Sequence, residues 1–113
     1  MKIVRETSEI SFTVRYWTRK LKEAFGAKRN LVIKQFERSL EVYFYSTRIA
    51  LIDLDTDTIR LANGGWETKT TKNHLNQVLR VMNVQQAVFQ KKFQWFLGEK
   101  EFNTQIEIKA KLN

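Results

Sequence analysis

The chain has no cysteine, no proline, one histidine and four glycines in 113 residues. Without cysteine there is no disulfide framework, no thiol nucleophile and no thiolate-held zinc or iron–sulfur centre. A single histidine excludes an all-histidine metal cage within one chain. The lack of proline excludes a stiff proline-rich linker and a cis-proline turn. No apolar run approaches the roughly 18 residues of a membrane span. The first residues, Met1-Lys2-Ile3-Val4-Arg5-Glu6, carry charge but no apolar stretch of the kind a secretion signal needs. No cofactor and no metal site are therefore expected.

What is present is a hydrophobic fraction of 42 % and a set of three Trp, three Tyr and eight Phe. That is enough apolar matter for one small core, so a single domain over residues 1–113 is expected rather than a disordered chain. Twenty Lys and Arg against twelve Asp and Glu give a net charge of +8. The excess is uneven. Residues 1–30 hold eight basic and three acidic side chains, and residues 63–98 hold five and one. Residues 31–62 are near neutral, with four and five. Two basic blocks on one face would form a footprint for a polyanion, whereas scattered charge would serve only solubility.

The apolar pattern predicts an α+β fold. Ile10, Val14, Trp17, Leu21 and Phe25 recur at helical spacing, with Ser8 as N-cap and Gly26 as stop. Leu31–Ile33, Leu40–Tyr45, Ile49–Leu54 and Thr58–Ala62 are rich in β-branched and aromatic residues and read as strands. Short links at Glu37–Ser39 and Asp55–Asp57 make them an antiparallel meander of about four strands. The link at Ser46-Thr47 is so short that the second and third of these read equally as one bent or bulged strand. Asn63-Gly64-Gly65 ends the meander. A helix capped by Thr70 or Thr71 follows, with Leu75, Val78, Leu79 and Met82 on its apolar face. A second helix is expected over 84–97, with Val88, Phe89, Phe93 and Phe96 on its apolar side. Phe102, Thr104, Ile106, Ile108 and Ala110 alternate as a last strand that pairs at an edge of the sheet. The expectation is thus a small antiparallel sheet packed against an N-terminal helix and one or two helices at 70–97.

The stretch from Tyr43 to Leu79 contains Tyr45-Ser46-Thr47-Arg48-Ile49-Ala50 and Thr70-Thr71-Lys72-Asn73-His74. It resembles a family of small phage-encoded proteins. Members pair a strand reading serine-tyrosine-x-threonine-proline-isoleucine-alanine with a helix start reading threonine-threonine-serine-lysine-histidine. Arg48 stands where the family has proline, and Lys72-Asn73 where it has serine-lysine. The resemblance covers about a third of the chain. It implies a phage origin and a host-cytoplasm setting, and it brings no established activity with it.

The helix start at 70–74 is the most site-like segment. Unpaired N–H groups and the helix dipole favour an anion there, and Lys69, Lys72, the Thr70 and Thr71 hydroxyls and His74 would suit a phosphate. The plainer reading is a threonine cap among solvated charges. His74 lacks a carboxylate partner in the sequence, so packing or capping near Tyr45 or Thr47 is preferred to acid–base catalysis. Asp53, Asp55 and Asp57 begin like a calcium loop, but Thr58 and Gly64 stand where that loop needs Gly and Glu. A solvated turn is expected there. Tyr16, Trp17, Tyr43, Tyr45 and Trp66 are possible stacking partners for bases, although most aromatics must fill the core. Lys91-Lys92 among Phe89, Phe93, Trp95 and Phe96 would give the helix at 84–97 a face for a membrane surface, a partner's groove or a homodimer, the plainer reading being a core helix with its lysines in water.

No nucleotide loop, nucleophile elbow or carboxylate pair is apparent, so no enzyme is expected. The leading expectation is a small basic intracellular accessory protein that binds DNA or RNA through phosphate contacts. The residues expected to make them are Arg15, Arg19, Lys22, Lys28, Arg29, Lys69, Thr70, Thr71, Lys72 and His74. The alternative is a module that binds an acidic host protein and inhibits or redirects it.

Overall fold

The computed structural model describes all residues, 1–113. Its elements in chain order are β1 (Lys2–Arg5), α1 (Phe12–Phe25), β2 (Leu31–Gln35), β3 (Ser39–Phe44), β4 (Thr47–Asp53), β5 (Thr58–Ala62), α2 (Lys69–Val81), β6 (Val88–Lys91), β7 (Gln94–Leu97), β8 (Lys100–Phe102) and β9 (Gln105–Lys109). The class is α+β. Strands β2 to β5 form the antiparallel meander, and β9 pairs antiparallel with β5 at the sheet edge; Phe102, expected in that same last strand, instead ends β8, and a bend at 103–104 separates the two. The six-stranded sheet has the order β1-β2-β3-β4-β5-β9. Both helices cover one of its faces.

Alternation in the strands decides which side chains meet the helices. Rows such as Ile33, Val42, Ala50, Leu61 and Ile106 lie side by side across the sheet and are buried. The register slips between Val42 and Tyr43, so the β3–β4 pair is two strands joined by a tight turn with a bulge beside it. Ile49 is the extra residue of that bulge and is buried. The opposite face is charged. Arg48 meets Glu41 at 2.7 Å, Arg60 meets Glu107 at 3.1 Å, and the Lys34 ammonium sits 4.6 Å from the Tyr43 ring. Tyr43 donates to Glu41, and burial together with that carboxylate raises its pKa.

Helix α1 buries Val14, Trp17, Leu21 and Phe25, as its spacing predicts. Its N-cap is Ser11 rather than Ser8. The Ser11 hydroxyl accepts from the Val14 N–H, and Ile10 lies just outside the helix, buried. Gly26 ends it at φ +63° and donates its N–H to the Lys22 carbonyl. The buried Thr18 hydroxyl donates to the Val14 carbonyl and accepts from Gln35, which ties α1 to β2. Strand β1 was not foreseen. It is four residues long with charged ends, and only its parallel pairing with β2 gives it a place.

The largest correction concerns residues 84–97, which form no helix. They fold as the hairpin β6–β7, and β8 extends it to a three-stranded sheet. One face holds Val88, Trp95, Leu97 and Phe102, all buried; the other holds Phe89 and Phe96 together with Lys91, Gln94 and Glu101. Lys92 and Phe93 form the turn, both with positive φ (51° and 68°). A two-residue turn of that hand suits strand twist, but outside Gly and Asn it costs about 1–2 kcal/mol per residue. A homodimer through a helix at 84–97 is therefore removed. The aromatic spacing fitted a helix, yet these residues satisfy the two-residue period of a hairpin as well. Asn76 on α2 holds the new sheet in place: its amide donates to the Val88 carbonyl at 3.0 Å and accepts from the Val88 N–H at 2.7 Å. Both sheets share one cluster of buried hydrophobic side chains.

Candidate functional site

Three connections meet at one end of the large sheet. The α1–β2 loop brings Lys28, Arg29 and Asn30. The β3–β4 turn brings Tyr45, whose φ of 56° is left-handed. The loop fixes that turn in two ways. The Tyr45 N–H donates to the Asn30 carbonyl at 2.8 Å, and the Asn30 amide donates to the Tyr45 hydroxyl at 2.9 Å. The β5–α2 loop brings Trp66. Its anchor is Asn63, fully buried, which donates to the Asn103 carbonyl and accepts from the Gly65 N–H, each at 2.9 Å. Gly64 lies against Thr47, where a Cβ would come within 2.3 Å of the Thr47 methyl carbon, and its φ is +61°. Only glycine fits both demands.

The first turn of α2 completes the end. Its N-cap is Thr68, not Thr70 or Thr71; the Thr68 hydroxyl accepts from the Thr71 N–H at 3.2 Å. Three nearby threonines make the cap ambiguous in sequence, and tertiary packing selects Thr68 by burying Thr71.

Two adjoining cavities result. One, of about 500 Å³, is lined by Phe44, Tyr45, Thr47, Trp66, Thr68 and Thr70 among others. Its walls are mainly aromatic rings and threonine side chains. The other, of about 580 Å³, is lined by Lys28, Arg29, Asn30, Tyr45, Thr70 and His74 among others. Phe44, Tyr45 and Thr70 belong to both. Tyr45 is 64 % exposed and Trp66 61 %.

His74 forms part of the wall of the second cavity and is 4 % exposed. Its ring lies edge-on to Phe44 at 4.5 Å and to Phe25 at 5.8 Å between centroids. Burial pushes its pKa below the ordinary value, and the Lys28 ammonium pushes it the same way. The imidazole is thus neutral at pH 7, and its buried Nδ1 has no hydrogen-bond partner. The ring packs on Phe25 and Phe44, and no hydrogen bond holds its Nδ1.

The structure unites part of the expected set. Lys28, Arg29, Thr70 and His74, drawn from both basic blocks, share one cavity. Thr71 is buried with its hydroxyl 3.1 Å from that of Thr68. Lys69 and Lys72 line neither cavity, and by helical geometry Lys72 stands on the far flank of α2 from Thr70. Arg15, Arg19 and Lys22 form an exposed flank of α1 and also line neither cavity. The other flank of α1 faces the tail and α2: Trp17 donates to the Leu112 carbonyl, and Gln77 to that of Ala24. The expected residues therefore fall into a cavity group and an outlying group. Asn30 and Thr68 carry no distinct sequence signal: Asn30 matters through Tyr45, fifteen residues on, and Thr68 is one of three closely spaced threonines able to cap α2. The Asn63-Gly64-Gly65 turn directly before Trp66 was the one sequence signal that this tryptophan stands on a loop.

The family model described as Kyanoviridae Gp96 protein matches residues 18–109. The chain therefore belongs to this phage protein family. No curated protein and no solved structure matches it.

Proposed function

We propose that this phage protein is a binding protein, not an enzyme, and that it holds single-stranded nucleic acid at the end of the large sheet. The observation that carries this reading is the placement of two exposed aromatic side chains, Tyr45 and Trp66, on one cavity that adjoins the Lys28 and Arg29 cations. Unpaired bases stack on such rings with little regard to sequence, at about 1–3 kcal/mol per base. The cations beside them meet the phosphates and release counterions. Arg15, Arg19 and Lys22 on α1, with Lys69 and Lys72 on α2, add long-range attraction to a polyanion without touching the bases. A duplex keeps its bases stacked on each other, so a site of this kind prefers a single strand.

The test is a fluorescence-anisotropy titration with labelled single- and double-stranded DNA and RNA at two salt concentrations. Single strands should bind more tightly, with affinity falling steeply as salt rises. Trp66→Ala and Tyr45→Ala should each weaken single-strand binding by about 1–3 kcal/mol. Lys28→Ala and Arg29→Ala should each reduce the salt slope by about one. Absence of binding at low salt, or a Trp66→Ala variant that binds like the parent, would overturn the reading.

A further inference from the structure

The three-stranded sheet covers one of its faces with α2 and turns the other outward. On that face Phe89, 43 % exposed, and the half-buried Phe96 stack in parallel, 5.3 Å between centroids and 14° between planes. At the turn beyond them Phe93 is 90 % exposed. Phe93 and Lys92 both hold left-handed backbone, a conformation that Gly and Asn adopt far more readily. A large apolar side chain thus stands in water at a turn it strains, and it packs on nothing in its own chain. Strain of this kind, held at an exposed position, points to a use outside the fold.

Charge narrows what that use can be. Lys91 and Lys92 directly precede Phe93 at the tip, and neither takes part in an ion pair; the one carboxylate on this face, Glu101, lies beside Phe96 at the far edge strand, away from the turn. A second copy of a chain with net charge +8 would bring more positive charge to this tip. We infer that the β6–β7 hairpin is a docking surface for an acidic protein. Phe93 enters an apolar pocket of the partner as the anchor, and the stacked pair Phe89 and Phe96 supplies the flat apolar contact behind it. Lys91 and Lys92 meet carboxylates at the rim, where opposite charge speeds encounter and sets orientation. This surface lies on a different sheet from the Tyr45 and Trp66 cavity, so the two readings stand or fall separately.

The experiment selects binders to the whole protein from a random peptide library and ranks them by affinity. Selected peptides should be rich in Asp and Glu around one aromatic or aliphatic residue. Phe93→Gly should weaken them about tenfold or more, as loss of an anchor does. It should leave the unfolding temperature unchanged or higher, because glycine relieves the turn. Phe89→Thr, on the strand rather than at the turn, should also weaken binding, and Lys91→Glu with Lys92→Glu should abolish it. Peptides without acidic bias, or binding indifferent to Phe93→Gly and Phe89→Thr, would overturn the inference. So would sedimentation on phosphatidylglycerol vesicles, or concentration-dependent dimerisation, if either is lost in Phe93→Gly. Those outcomes would give the face to a membrane or to a second copy.

Discussion

The two sheets solve the same problem and leave different surfaces behind. Each buries one face against the helices. The six-stranded sheet dresses its other face with Arg48, Glu41, Arg60, Glu107 and Lys34, arranged in opposite-charge pairs or over a ring. Such a face is at rest in water. The three-stranded sheet sets Phe89 and Phe96 among Lys91, Gln94 and Glu101 on its other face and Phe93 at its turn, with Phe89 43 % and Phe93 90 % exposed. The same strand geometry thus yields one solvated surface and one unsatisfied surface. The difference lies wholly in which residue types occupy the outward positions of each alternation.

The largest effect that probes this comparison is in the buried half of the small sheet. Trp95 is 1 % exposed and packs edge-on to Phe102 at 6.0 Å. Trp95→Ala should cost about 3–5 kcal/mol in urea unfolding. A loss below about 1 kcal/mol would mean that the small sheet is an appendage and not part of the shared core. Trp95→Phe should cost less than Trp95→Ala, since it keeps an aromatic ring in the core while also removing the buried Nε1 that has no partner.

A second difference between the sheets is a buried titratable group. His74 lies under the large sheet, whereas the buried side chains of the small one are Val88, Trp95, Leu97 and Phe102. Because the folded pKa of His74 lies below the unfolded value of 6.5, the folded state resists its protonation. Its contribution to stability is present above that value and is lost as pH falls from 6.5 through the lowered folded pKa. Urea midpoints should fall over this window. His74→Gln should flatten that part of the profile, and an unchanged slope in the variant would assign the acid loss to carboxylates.

The smallest effects belong to the two open faces. Arg60→Ala removes an exposed ion pair and should change stability by about 0–1 kcal/mol, with a dependence on salt. Phe96→Thr removes a half-buried stacking partner of Phe89 and should cost about 0.5–1.5 kcal/mol, with no dependence on salt. Equal salt responses in the two variants would erase the contrast between the faces.

Much of the fold was legible because its signals are local. Period-two alternation at 31–62 and 105–109, the helical spacing of Val14, Trp17, Leu21 and Phe25, and the glycine stops at 26 and 64–65 each act within a few residues. Tyr45, Trp66, Lys28, Arg29 and Thr70 were all legible as individual candidates. Their convergence was not, because three separate connections bring them together and Asn30 and Asn63 fix two of those connections through bonds to distant residues.

Composition and pattern alone thus determined the absence of thiol chemistry, the basic excess, the α+β class and the meander with its closing strand. Tertiary structure decided the rest. It chose Ser11 and Thr68 among several possible caps, because burial of their neighbours singles them out. It gave Lys2–Arg5 a strand partner. It turned the aromatic run at 88–97 into a hairpin, since a short run of Phe and Trp fits either period and only pairing with Asn76 and β8 distinguishes them.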